Sequence, residues 1–250
     1  MSLFKSGNPT LKESIFEAQA VENSYGVMTE RGTMNKFLFL FLMVMGTASF
    51  TWTAFAQGAN MGPWLIGSII GALVTALIIS FRPQTAPYLA PAYALIKGVA
   101  IGAISAIYNN AFAKIAPGIV MQAVVLTFGV VIAMYALYRF NVIRATQKFK
   151  AVIITATLGI FFFYLIAFAM SFFGVYISFL HESTPFGIIF SLAVTALAAL
   201  NLILDFDMIE KGIAARAPKY MEWYGAFGLL VTIVWLYLEM LRLLSKLNRK

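Results

Sequence analysis

The sequence predicts an all-α integral membrane protein with seven transmembrane helices, and three observations carry that reading. Of the 250 residues, 61% are hydrophobic and only 11% are charged, and the mean hydropathy of +0.86 lies far from the balance of soluble domains. Seven apolar runs each approach the ~20 residues that cross a ~30 Å hydrocarbon core as helix. Charges fall almost entirely between those runs, and from Arg31 to His181 there is no Asp or Glu at all. The runs lack the two-residue alternation of a membrane barrel, and hydrocarbon leaves no water to satisfy open strand edges, so each run must be helical.

Taken in order, residues 1–36 form a polar N-terminal arm of mixed charge. Asn8-Pro-Thr10 can cap a short helix through Leu11 to Glu17, and both a surface-lying arm and a loose tail fit this composition. The arm precedes the first apolar run, which therefore does not read as a cleaved signal peptide. The spans are placed at Phe37 to Phe55, Trp64 to Phe81, Tyr88 to Tyr108, Ile119 to Tyr138, Ala151 to Phe173, Phe186 to Ile209 and Tyr224 to Leu244. Together they define a transmembrane domain over 37–247, with a short basic tail at 248–250. Gly62-Pro63, Arg82-Pro83, Pro87, Pro117-Gly118, Pro185 and Pro218 stand near run ends, where a missing amide proton costs least. Pro91 falls inside the third run as a candidate kink. The pairs Gly67/Gly71 and Gly98/Gly102 let helix backbones approach closely and read as packing seams within the chain. No internal repeat is evident.

Basic residues set the orientation. With the N-terminus in the cytosol, that side receives Lys5, Lys12, Arg31, Lys36, Arg82, Arg139, Arg144, Lys148, Lys150, Lys211, Arg216 and Lys219, against Lys114 alone in the opposite loops. The asymmetry predicts a cytosolic N-terminus in the inner, cytoplasmic membrane. Arg242, Lys246, Arg249 and Lys250 oppose it if the seventh run crosses fully, so a full span and a re-entrant last segment both stay open.

Charged groups inside apolar runs are candidate functional residues, since an acid in hydrocarbon costs several kcal/mol unless paired, hydrated or protonated. Asp205 and Asp207 are separated by about 200° around a helix and cannot share a face. Asn201 and Asp205 are four apart and do share one, giving a polar stripe that faces a neighbouring helix or a small aqueous cavity. Asp207, Glu210 and Lys211 lie close to the cytosolic end, where pairing at the interface competes with a functional role. Glu239 precedes Arg242 by three residues, which suggests an ion pair near the outer surface. Lys97 sits at mid-depth of the third run with no acid nearby in sequence, and Asp205 is the candidate partner. His181, with Glu182, lies in the loop between the fifth and sixth runs and reads as a solvated loop residue.

The same composition excludes several classes of function. The chain has no Cys and one His, which removes disulfides, thiolate chemistry and zinc centres. Its basic residues alternate with spans and form no continuous patch for nucleic acid. There is no Gly-x-Gly-Asp signature of an intramembrane aspartyl protease, no Lys in the seventh run for a retinal Schiff base, and no phosphate-binding Gly loop. No enzyme reading survives, and no cofactor is expected.

Asn201-Leu-Ile-Leu-Asp-Phe-Asp-Met-Ile-Glu210, Pro218-Lys-Tyr-Met-Glu-Trp-Tyr-Gly-Ala-Phe-Gly-Leu-Leu-Val-Thr232, Leu236-Tyr-Leu-Glu-Met-Leu-Arg-Leu-Leu244 and Gly118-Ile-Val-Met-Gln-Ala-Val-Val-Leu-Thr-Phe-Gly129 together resemble the Bax inhibitor-1, or transmembrane Bax inhibitor motif, family in its prokaryotic YccA-like branch. The resemblance spans about Lys36 to Leu247. It implies six helices around a central C-terminal seventh, and a pH-sensitive passive calcium leak. It also implies a sensing pair of aspartates near the cytosolic mouth, one in each of the last two helices. The first falls on Asp205, four residues before Ile209, which makes Asp205 the one candidate cation contact. The second falls on Thr232, so the two-carboxylate switch is incomplete. Two functions from different classes follow. One is a pH-modulated cation pathway, with calcium or protons as the species moved and Asp205, Asp207, Asn201, Thr232, Glu239 and Lys97 as its candidate residues. The other is a non-conducting protein that modulates a membrane protease or other membrane partners.

Overall fold

The computed structural model describes residues 26–171, 173–175, 177 and 182–249. His181 and most of the N-terminal arm lie outside the described residues. Seven long helices follow one another: α1 (Glu30–Ala56), α2 (Met61–Phe81), α3 (Ala86–Ala111), α4 (Ile119–Arg139), α5 (Gln147–Ser171), α6 (Pro185–Ala214) and α7 (Met221–Leu247), with a 3₁₀ turn at Pro83–Thr85 before α3. All seven are long and apolar enough to cross a membrane, which makes this a multi-pass membrane protein.

Most helix ends outrun the apolar runs that predict them, because backbone hydrogen bonding does not stop where hydrocarbon gives way to water; α5 is the exception at its C-terminal end, stopping at Ser171 short of the expected Phe173, which lies in a turn. α1 begins at Glu30 and not at Phe37, since the Thr29 hydroxyl accepts the Gly32 N–H at 3.0 Å and Glu30 favours the positive end of the helix dipole. Asn60 caps α2 and Thr184 caps α6 in the same way, with Pro185 in the first turn of α6, where its missing N–H costs nothing. At the other end α6 continues five residues past Ile209. α3 runs without a break through Pro91.

α7 is the central element. Leu229, Leu230, Leu236 and Leu241 are essentially inaccessible, and α1, α3, α4 and α6 pack directly on it. α2 stands one layer out against α3, and α5 packs on α6. Large apolar side chains cover the outside instead, among them Ile66 and Leu73 of α2 and Phe161 and Phe168 of α5, as hydrocarbon permits.

The Gly98/Gly102 seam is borne out. A Cβ at Gly98 would lie 1.8 Å from Thr47 Oγ1 and 2.5 Å from the Val44 carbonyl oxygen, and one at Gly102 would lie 2.4 Å from the Ala48 carbonyl oxygen. Only hydrogen fits where α3 meets the α1 backbone. In the other pair Gly71 meets Ile96, whereas nothing approaches Gly67, so that residue serves no seam.

Seven successive crossings put the start of α1 and the turn between α6 and α7 at one end of the bundle. Met28 N–H donates to the Ala217 carbonyl at 2.8 Å, and Val27 bridges to Pro218. Arg31, Lys36, Arg82, Arg139, Arg144, Lys148, Lys150, Lys211, Arg216 and Lys219 all belong to this end, which we call the basic face.

Candidate functional site

The packed face of α6 carries Ala198, Leu202, Ile203 and Phe206, buried against α4 and α7. Phe206 is wedged beside the Tyr135 and Tyr138 rings, at centroid separations of 5.3 and 5.9 Å. That packing fixes the rotation of α6 and so aims its polar residues.

Asp205 turns inward, where the buried Thr232 side chain of α7 faces its carboxyl. Its Oδ2 is shut off from solvent and has no hydrogen-bond partner. No Lys or Arg forms an ion pair with it; the described ion pairs all use other acids. The expected Lys97 partnership is not formed: α3 packs chiefly on α1 and α2, whereas α6 packs chiefly on α7 and α4. Among the described residues the Lys97 ammonium has neither an ion pair nor a hydrogen bond.

Asn201 shares a face with Asp205 by spacing, yet it is engaged elsewhere. Its Nδ2 donates to Thr157 Oγ1 of α5 at 2.9 Å and to the Leu197 carbonyl at 2.8 Å. The two-residue stripe is therefore split between α5 and α7.

Asp207 is held by two lysines, Lys150 of α5 and Lys211 at 2.9 Å, and Glu210 accepts a hydrogen bond from the Tyr138 hydroxyl. Both acids border a polar cavity of about 290 Å³ walled by Arg139, Asn141, Arg144 and Thr146. Asn141 adopts φ 57, a left-handed turn that asparagine tolerates and that brings the chain back over this cavity. The pairing anticipated with Lys211 is present, and Lys150 adds a second cation that local sequence could not reveal.

Glu239 is 2% exposed and paired with Arg242 at 2.9 Å, as the three-residue spacing suggests. Tyr164 of α5 donates to the same carboxylate at 3.2 Å and Trp235 at 3.3 Å, and the Arg242 guanidinium also lies over the Tyr164 ring. Oε1 accepts three hydrogen bonds and Oε2 one, both oxygens sharing Arg242, which makes this acid a structural anchor between α5 and α7.

Sequence reasoning missed Glu222. Its side chain is 1% exposed and salt-bridged to Lys36 of α1, and it accepts from the Thr29 backbone N–H at 3.0 Å and the Thr29 hydroxyl at 2.9 Å. A Cβ at Gly32 would stand 2.2 Å from the Glu222 Oε1, so glycine is required there. The missed signal was position: Glu222 stands just before the last apolar run, in a segment read as loop.

Among the described residues no three His, Cys, Asp or Glu side chains gather at one place. One carboxylate and one hydroxyl at Asp205 fall well short of the six to eight oxygens that hold calcium firmly.

Seven membrane-crossing helices, the last of them buried at the centre, with an acid that no cation pairs embedded between the last two, define a polytopic membrane protein with a polar centre inside the bundle. A model of the Bax inhibitor 1-like family matches residues 8–249. The chain belongs to that family. No curated protein and no solved structure matches it.

Proposed function

We propose that the chain is a passive cation pathway, with calcium as the conducted ion, gated by protonation of Asp205, and that it resides in the cytoplasmic membrane with its basic face toward the cytosol. The observation that carries this reading is the Asp205 Oδ2, a buried carboxylate oxygen with no partner inside a membrane bundle. Such an atom costs about 1 to 3 kcal/mol or more, so a structural role alone would have been served better by an apolar residue. Two residues along α6, Asp207 borders the polar cavity on the basic face, which supplies water and protons close to the gate.

The mechanism has two states. Ionised Asp205 draws a cation from the cavity past Thr232, and calcium sheds part of its water onto these oxygens for the moment of passage. A proton on Oδ2 removes the charge and with it the attraction. Conduction therefore rises with pH and falls as the medium is acidified. The Lys150–Asp207–Lys211 cluster limits the cation density at the mouth, in keeping with a slow leak.

Calcium entry into proteoliposomes of the purified chain, measured from acid to alkaline pH beside protein-free vesicles, tests this. Wild type is expected to show flux that increases with pH, and Asp205→Asn a pH-independent flux. Flux at the protein-free level across the whole range would sink the pathway and leave the non-conducting role, modulation of a membrane protease or other membrane partner.

A further inference from the structure

On the basic face a second cavity, of about 580 Å³, opens between α1, the turn leading into α3, and the loop into α7, with Lys36, Gln84, Lys219, Tyr220 and Trp223 in its walls. We propose that this cavity binds the phosphodiester headgroup of an anionic membrane phospholipid. The inference is independent of the conduction reading.

Charge is the first argument. Lys36 donates to Glu222, but an ammonium carries three protons, and its side chain remains 18% exposed. The ammonium also stands 5.5 Å from the Trp223 ring centroid, which holds it at the cavity wall. The Lys219 ammonium makes no hydrogen bond or ion pair among the described residues. Its stem rests on Gly26, where a Cβ would meet Lys219 Cδ at 3.5 Å and Nζ at 3.9 Å. Two cations against one buried acid leave the cavity one positive charge, the complement of a single phosphodiester.

Depth is the second argument. Trp223 and Tyr220 line the cavity, and Tyr88 and Phe81, both 82% exposed, flank the nearby turn. Amphipathic aromatic rings settle at the headgroup layer, so the open side of the cavity meets phosphates and not bulk cytosol. Basic pockets between helices at that level are the sites where anionic headgroups are held. Gln84, exposed and free of side-chain hydrogen bonds among the described residues, offers both a donor and an acceptor to the glycerol or headgroup hydroxyls.

The test is a binding titration of the purified full chain in neutral detergent, followed by native mass spectrometry and thermal unfolding, with short-chain phosphatidylglycerol, short-chain phosphatidylcholine and inorganic phosphate as the probes. Phosphatidylglycerol should bind about tenfold more tightly than phosphatidylcholine, the worth of one charge-assisted contact. Lys219→Gln should erase that preference, Lys219→Arg should keep it, and Gln84→Leu should weaken it. Lys148→Gln, an equally basic position away from the cavity, should leave it intact. Equal binding of the two lipids overturns the site. So does an equal loss in Lys148→Gln, which would reduce the effect to diffuse surface attraction, and so does displacement of the lipid by millimolar inorganic phosphate, which would make the ligand a soluble anion.

Discussion

Asp205 and Thr232 face one another where two carboxylates would form a shared-proton pair, so in the pathway proposed above the gate would titrate through a single acid. Restoring the second acid is the sharpest test of that geometry. Thr232→Asp should replace a one-step pH response of calcium flux with a two-step one, because close carboxylates release their protons in sequence; a curve superimposable on wild type would mean that position 232 does not sense Asp205. Glu222 makes the opposite case, an acid whose function is attachment. Glu222→Ala strands Lys36 and two Thr29 donors and should destabilise the protein by about 3 to 5 kcal/mol, read as a lowered midpoint of thermal unfolding in detergent. Pairing it with Lys36→Met should recover much of that loss, since the unpaired charge is removed as well. Asp205 and Glu239 were legible in the sequence because an acid in an apolar run is conspicuous. Thr232 emerged only through family resemblance, and Glu222 escaped because it sits just ahead of the last apolar run. Which acid is paired and which is orphaned depends on residues far away in sequence: Lys36 is 186 positions from Glu222.

At the scale of helices, the seven spans were legible almost to the residue on their apolar sides and short on their polar sides, as with α1 and α6, because hydropathy reports the membrane and not the helix. Neighbour relations were less accessible. The spacing of Asn201 and Asp205 is helical and correct, yet Asn201 answers to Thr157 on α5 and Asp205 to Thr232 on α7. The α1–α3 seam was readable as a small-residue motif, and it leaves no room for a side chain at Gly98 or Gly102. Gly98→Val would drive methyl groups into Thr47 and the Val44 carbonyl, a clash with backbone that cannot rotate away. Overpacking of this kind costs about 1 to 3 kcal/mol or more. The same substitution at Gly67, which nothing approaches, should shift the unfolding midpoint little; equal shifts at the two sites would contradict the seam.

For the molecule as a whole, the alternation of crossings gathers most of the basic residues at one end, and the absence of cysteine makes the orientation directly measurable. Single cysteines at Arg216 and Asn141 should react with an impermeant maleimide only from the cytosol. Cysteines at Asn60, Lys114 and Arg249 should react only from outside, and labelling of position 249 from the cytosol would refute the seventh full crossing as oriented here. The attachment of α5 has a mechanical consequence. Of its described residues only Ile153 is buried, and it is fastened to the rest at Lys150, Thr157 and Tyr164, seven residues apart and so on one line. Work done by the bilayer on the protein, through lateral tension or a change in thickness, is resisted elsewhere by broad apolar contact and along this helix by three polar fastenings and narrow aromatic packing, Phe163 and Tyr164 on Phe190 of α6. The stave that yields first under stretch is therefore α5, and its displacement would uncover the flank of α6 that carries Asn201 and Asp207.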